Sequence, residues 1–300
     1  MDTLNHLKGK RCFITGGKGF VGKSLAKKLI SLGAEVIAPT RAEMDLTKSV
    51  EVAKKIHEAQ PEILFHLAAA GVVHGPGPSE INNVNVLGTH TLVSTVKQLT
   101  KTPVLILMGS CSEYKDKKSS LLETDELGSL NDYGLSKIKA AELARKDGQG
   151  LSIRWVRLFN CYGPYEPAGR LLPYMVNQAR SGLPIEVTAG EQYRDFTYID
   201  DVSEALIRLA LSAEGTKNWE DFNLGSGRPV YLKEYIDLIK KTLAEFNIHA
   251  NIRYGAKPYR TGEAMNIIPD ISKLRKNLNW APPTSIKDGV RNTIQFMLSA

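Results

Sequence analysis

Thr15-Gly16-Gly17-Lys18-Gly19-Phe20-Val21-Gly22 follows a short apolar run, Arg11–Thr15, and opens a segment with helical spacing at Leu25, Leu29 and Leu32. A strand that passes into a helix through glycines constrains the chain more than any other stretch. Without Cβ atoms, strand and helix pack closely and the backbone can approach a bound group. The turn also leaves the first N–H groups of the helix unpaired and partly positive. The spacing is GxxGxxG at Gly16, Gly19 and Gly22, not GxGxxG. A glycine turn without a ligand is the alternative. Strand, loop and helix in this order instead favour a cradle for a dinucleotide pyrophosphate, built from Gly16, Lys18, Gly19, Phe20, Val21 and Gly22.

Beyond Gly33 the same alternation continues. Glu35–Ala38, Ile63–Leu67, Val104–Met108 and Leu151–Leu158 read as further strands. Lys48–Ala59, Val84–Leu99 and Asn131–Arg145 read as helices between them. Repeated βα units predict an α/β fold, a Rossmann-type doubly wound parallel sheet with helices on both faces. After Asn160 the pattern breaks at Gly163-Pro164 and Pro167, and the elements shorten. Residues 1–164 are expected to form the dinucleotide-binding domain, with 187–215 returning to it through a helix over Val202–Leu211. Residues 165–300 are expected to form mainly a smaller C-terminal substrate-binding lobe. A length of 300 residues accommodates both.

Composition adds exclusions. The net charge of +7 is scattered, with Lys115, Lys117 and Lys118 the densest run, so no nucleic-acid partner is expected. Cys12, Cys111 and Cys161 have neither metal nor redox spacing, so no metal is expected and a reducing cytoplasm is. No apolar run is long enough to span a membrane, and no signal peptide is read at the N-terminus.

At the end of the second strand an acidic residue would hold a ribose 2′-hydroxyl. Pro39-Thr40-Arg41 stands there instead. Thr40 offers a hydroxyl, Arg41 can fork onto a 2′-phosphate, and Lys18 adds charge. NADP(H) is therefore favoured, with NAD(H) possible; solvated surface charges are the other reading of Arg41 and Lys18. Further on, Tyr133-Gly134-Leu135-Ser136-Lys137 can carry a proton to or from a sugar oxygen. Loop and motif together point to a nicotinamide enzyme acting on a hydroxyl or keto group.

These residues resemble the extended short-chain dehydrogenase/reductase family, the nucleotide-sugar epimerases, dehydratases and 4-ketoreductases. The resemblance runs nearly end to end. It takes in Asp45-Leu46, His66-Leu67-Ala68-Ala69, Asn85, Gly88-Thr89, Ser110 with Tyr114, and Tyr133 with Lys137. It continues through Arg157–Asn160, Tyr162-Gly163-Pro164, Arg194–Tyr198, Arg260, Gly262-Glu263, Asn279-Trp280 and Pro282. It implies that Asp45 and Leu46 contact the adenine and that Ala68 and Ala69 line the cofactor path. Tyr133 is implied as general acid/base, with Lys137, one helical turn on, lowering its pKa and binding the nicotinamide ribose. Ser110 would hydrogen-bond the substrate oxygen, and Asn160, Arg194 and Arg260 would hold a nucleotide-diphosphate sugar. A structural ion pair to Asp195 or Asp200 is the other reading of Arg194. His66 and His74 receive no role. A homodimer through Val84–Leu99 and Asn131–Arg145 is implied as well.

One loop separates the branches of this family. The 4,6-dehydratases place an Asp and a Glu directly after the Ser110 position; here Cys111 and Ser112 stand there, which disfavours dehydration. Glu113 is expected to be a surface or supporting carboxylate. Thr40-Arg41 and Lys18 favour a reductase that consumes NADPH, and the compact run Arg41–Thr47, with Asp45-Leu46 soon after the second strand, resembles the 4-ketoreductases. The expectation is NADPH-dependent reduction of a nucleotide-activated 4-keto-6-deoxy sugar. An NAD-dependent 4-epimerase is the alternative, followed by a non-catalytic cofactor sensor.

Overall fold

The computed structural model describes residues 3–71, 77–260 and 262–299. His74 and the middle of the Gly71–Pro78 loop lie outside the described residues. In chain order the elements begin β1 (Arg11–Thr15), α1 (Phe20–Ser31), β2 (Glu35–Ile37), α2 (Ser49–Ala59) and β3 (Ile63–His66). Then come α3 (Pro78–Asn82), α4 (Gly88–Lys97), β4 (Val104–Ser110), α5 (Asp132–Asp147), β5 (Ile153–Leu158), β6 (Asn160–Tyr162) and α6 (Leu171–Arg180). The last third holds β7 (Ile185–Glu186), β8 (Tyr193–Tyr198), α7 (Ile199–Ser212), β9 (Trp219–Leu224), β10 (Pro229–Tyr231) and α8 (Leu232–Glu245). It closes with β11 (Ile252–Arg253), β12 (Asn266–Ile267), α9 (Ser272–Leu278) and α10 (Ile286–Ser299).

Six strands form one parallel sheet in the order β2-β1-β3-β4-β5-β9. This is the expected doubly wound α/β architecture, with the direction of winding reversing between β1 and β3. The sheet is apolar on both faces, as a parallel sheet between helices must be. Along β4, Val104, Ile106 and Met108 pack into one core with Leu25, Leu29, Val202 and Leu206. Leu105 and Leu107 point the other way, into a core with Val52, Ile56, Leu92, Val96, Ala140 and Ala144. The sixth strand, β9, has no counterpart in the sequence reading, because Trp219–Leu224 mixes polar and apolar residues and its edge carries Glu220 and Asp221. In the C-terminal third, β8 pairs with β6, β10 and β12 in a smaller mixed sheet.

The helix expected over Val84–Leu99 begins earlier and is not regular. Asn83–Leu87 forms one π-helical turn between α3 and α4. Asn85 explains it. Its side chain accepts from Ala70 N at 2.8 Å and donates to Ala70 O and to Ser136 Oγ, both at 2.9 Å. The extra residue in the turn aims this buried amide inward, and such bulges gather at functional sites.

His66 is structural, as its lack of an assigned role anticipates. Thr89 Oγ1 donates to Asn85 O at 2.6 Å, so it accepts from His66 Nε2 at 2.9 Å, and Nδ1 takes the proton of Thr15 Oγ1 at 2.7 Å. Burial, with the Lys137 charge adding to it, pushes the imidazole down to about 3. The folded protein therefore refuses a proton that the unfolded chain accepts, and this stability is present above the unfolded pKa and lost as pH falls toward 3. The unfolding free energy, measured by urea titration, should fall by up to about 1.4 kcal/mol per pH unit from this group. His66→Asn should show a shallower acid slope than the parent, and an unchanged slope would contradict the assignment.

Candidate functional site

Where the winding reverses, the carboxyl ends of β1, β2 and β3 open onto a cavity of about 660 Å³. Gly16, Lys18, Gly19, Thr40, Arg41, Asp45, Leu46, Ala68 and Ala69, all expected at a cofactor, line it. Phe20, Val21 and Gly22 form the first turn of α1 behind the loop. Two glycines are sterically required. Gly16 has φ of +73° and a Cβ there would lie 2.7 Å from Ala68 N, while a Cβ on Gly22 would strike the Gly16 carbonyl. Gly19 caps α1 with no side-chain hydrogen bond, so the helix keeps N–H groups available to an anion. Cavity, uncapped helix and close-packed turn fit a dinucleotide.

Behind the Thr40 wall of this cavity sits Glu43, which has no place among the residues expected from the sequence. Thr40 N and Thr40 Oγ1 donate to Glu43 Oε2 at 2.7 and 2.8 Å. Those two donors hold the Glu43 carboxyl below the usual range. The Thr40 hydroxyl, expected free, is therefore occupied. Arg41 is 71% exposed and lies 3.7 Å from Asp45 and 3.4 Å from Glu80, loose pairs that leave its guanidinium free to move. Asp45 Oδ1 accepts from Thr47 N and Oγ1 at 2.9 and 2.8 Å. The signal for Glu43 was present as the T-x-x-E pattern of a capping box, which places its carboxylate beside Thr40.

A second cavity of about 810 Å³ is lined by Tyr133, Arg194 and Arg260 from the expected set, together with Cys111, Ser112 and Arg170. Gly71 lines both cavities, and a Cβ there would lie 3.6 Å from the Tyr133 ring. Tyr133 thus stands where the two meet. Asn131 caps α5 by accepting from Gly134 N at 2.8 Å, which sets the first turn that carries Tyr133. Ser136 Oγ donates to Tyr133 O at 2.7 Å and ties that turn to Asn85. Lys137 is buried, donates to Met108 O at 2.8 Å, and places its ammonium 5.9 Å from the Tyr133 ring centre. Asn160, at the start of β6, lines neither cavity and keeps its amide nitrogen buried without a partner among the described residues.

Electrostatics here differ from expectation. Burial pushes the Tyr133 phenol well above its ordinary value, the Cys111 thiol adds to this, and the Ser110 hydroxyl opposes it. Lys137 does not bring the phenol down. Its own pKa is lowered to about 8 by burial, with the Glu113 charge pulling back. In the protein alone, burial keeps the Tyr133 phenol neutral at neutral pH.

Glu113 is not a surface carboxylate. It has no exposure, because the turn after β4 folds it back beneath Ser110. Its Oε1 accepts from Ser110 N at 2.7 Å, and Oε2 accepts from Arg157 Nε at 2.7 Å and from Trp155 Nε1 at 3.1 Å. A Cβ on Gly109 would lie 2.6 Å from Glu113 Oε1, so glycine makes the space. Burial raises the Glu113 carboxyl while Arg157 opposes it, and the surrounding donors favour the ion pair. Arg194 is also paired differently: its Nη2 lies 3.2 Å from Glu263, whereas Asp195 caps Ser226 N and Asp200 accepts from Ser24.

Residues 12–225 match the model of the NAD dependent epimerase/dehydratase family. The chain is 29% identical over 307 residues to UDP-glucuronic acid decarboxylase 1 of Arabidopsis thaliana, covering 94% of this chain and 68% of that protein. It is 28% identical over 300 residues to CDP-abequose synthase of Salmonella muenchen, covering 96% of this chain and 98% of that one. The structure of MoeE5 in complex with UDP-glucuronic acid and NAD is similar with a TM-score of 0.84 at 25% identity, covering 96% of this chain and 99% of that chain. The protein belongs to the NAD-dependent nucleotide-sugar epimerase/dehydratase family of enzymes. Among the described residues no helix is long and apolar enough to cross a membrane.

Replacing Glu113 with alanine takes from the buried Arg157 its closer and fully buried carboxylate, leaving only Asp221 at 3.2 Å, and frees the Ser110 N–H. Glu113→Ala should lose about 3–5 kcal/mol of unfolding free energy in a urea titration. A loss below about 1 kcal/mol, the range of an exposed pair, would contradict the buried ion pair.

Proposed function

We propose that this protein uses NADPH to reduce a nucleotide-activated 4-keto-6-deoxy sugar at C4. The observation that carries the reading is the wall of the second cavity. Cys111 and Ser112 line it directly after Ser110, where elimination of water would need an acid/base pair, while Tyr133 lines it as a phenol kept neutral by burial. A neutral phenol suits proton donation, the reductive direction. In this reading residues 165–300 contribute mainly the sugar site, and the sheet contributes the cofactor site.

A bound nicotinamide supplies the hydride. The protein's residues do the rest. Ser110 hydrogen-bonds the carbonyl oxygen and stabilises charge developing there. Tyr133 donates its proton to that oxygen. Lys137 then steadies the resulting phenolate, its ammonium being close and poorly solvated. Arg260 offers forked donors to the diphosphate of the sugar nucleotide, and Arg194, held by Glu263 and the Tyr193 and Met265 carbonyls, adds positive charge to the same wall. Leu87 and Leu135, 48% and 41% exposed on elements packed against each other, support pairing with a second copy of the chain.

Glu43 favours a second reading. Its carboxylate is fixed in the turn after β2 on Thr40, which lines the first cavity, and a carboxylate beside that wall is a partner for a ribose 2′-hydroxyl, hence for NAD and the 4-epimerase. Purified protein given NADPH or NADH with nucleotide 4-keto-6-deoxy sugars separates the two. Loss of the reduced-nicotinamide absorbance on sugar addition supports the reductase. NAD retained through purification, with sugar interconversion and no net oxidation, replaces it with the epimerase. Tyr133→Phe should lower turnover by at least about 100-fold, and full turnover in that variant sinks both readings.

Cofactor choice has its own test. Arg41→Ala should weaken NADPH binding by roughly 10- to 100-fold and leave NADH unchanged, as expected for losing a charged donor to phosphate. Glu43→Gln should shift preference toward NADPH. An unchanged NADPH/NADH affinity ratio in Arg41→Ala, read by fluorescence titration, removes the NADPH assignment.

A further inference from the structure

We propose that Glu166 is a positioning residue for Arg170, and that the pair links binding of the anionic substrate to uptake of a proton. The proposal rests on the nucleotide-sugar reading above. Arg170 lines the second cavity with Arg194 and Arg260, yet it stands outside the set assigned from sequence.

Both residues lie in the loop between β6 and α6. Glu166 N donates to Gly163 O at 3.2 Å, and Arg170 N donates to Pro167 O at 2.9 Å. Tyr165, next to Glu166, has φ of +70°, a strained conformation for a bulky side chain that the surroundings must impose. Glu166 Oε1 lies 3.1 Å from Arg170 Nε, and the Glu166 side chain is only 5% exposed. Gripping Nε leaves both terminal nitrogens of the guanidinium free to fork onto a phosphate. Among the described residues that guanidinium has no other carboxylate partner within ion-pair distance.

The second oxygen of Glu166 is buried without a hydrogen bond. Such an atom in a native interior calls for an explanation, and a carboxyl that takes up a proton supplies one. The titratable groups facing it are Arg170, Cys161 and Tyr162 on β6, and Tyr235 on α8. Burial pushes the Cys161 thiol up to about 11 and both phenols far above their ordinary values, so all three stay neutral near pH 7. Burial raises the Glu166 carboxyl to about 7, with Arg170 opposing. A diphosphate arriving at Arg170 brings like charge toward Glu166 and raises its proton affinity further. Substrate and proton therefore favour each other's binding, and affinity weakens as pH rises through about 7.

The test is calorimetry of the cofactor-loaded enzyme in buffers of different ionisation enthalpy. UDP-, CDP- and dTDP-glucose and GDP-mannose serve as probes, since their diphosphates do not titrate near neutrality. At pH 7 the parent should take up as much as about half a proton per site on binding the preferred probe. Glu166→Gln keeps an acceptor for Arg170 Nε; it should bind within about threefold of the parent, yet with no proton uptake and a flat pH dependence. Glu166→Ala and Arg170→Ala should each weaken binding about tenfold or more. Proton uptake that persists in Glu166→Gln, or parental affinity in Glu166→Ala, overturns the proposal and leaves the nucleotide-sugar reading standing. No binding of any probe overturns both.

Discussion

A single buried carboxylate organises the site end of this molecule. Glu113 sits at the carboxyl end of β4 with no exposure, and its two oxygens take the N–H of Ser110, the indole of Trp155 and the guanidinium of Arg157. Trp155 and Arg157 lie on β5, and Arg157 continues to Asp221 of β9 at 3.2 Å. Tyr114, the next residue, donates to Asn223 of β9 at 2.6 Å. Three neighbouring strands are thus cross-linked where the chemistry would occur. In a low-dielectric interior such a network is strong when every member is satisfied and costly when one is removed. The gain is rigidity: Ser110 is held between its own backbone contact to Glu113 and the turn that presents Cys111 and Ser112 to the cavity.

The second organising feature is geometric. The sheet reverses its winding between β1 and β3, and the first cavity lies at that reversal because loops from β1 and β3 diverge there. Asn85, at the π-helical turn, joins the loop after β3 to α5 through Ala70 and Ser136. Tyr133 is consequently referenced to both the sheet and the loops of the first cavity, and this arrangement holds its phenol at the junction of the two cavities.

Charge placement in the turn after β2 shows rival effects in one small space. Arg41 and Lys18 supply positive charge, whereas Glu43 occupies the two donors of Thr40. Coulomb attraction between exposed groups is weak in water, so neither sign wins by proximity alone. The group that binds in closer and drier geometry decides, which makes cofactor preference a property of a few side chains and independent of the fold.

Much of this was legible along the chain. The glycine loop, the βα alternation and the four-residue separation of Tyr133 and Lys137 are local, and local periodicity sets which way side chains leave an element. These determined the sheet, the glycine turn and the placing of phenol and ammonium on one helix. What the tertiary structure decided is the partner of each charge and the degree of its burial. Glu113 stood open between a surface and a supporting role until Arg157 and Trp155 arrived from β5, Arg194 found Glu263 and not its neighbour Asp195, and burial lowered Lys137 to about 8 while it raised the Tyr133 phenol. Spacing gives direction along one element. Partners and solvation depend on segments far apart in sequence, and only the packed chain brings them together.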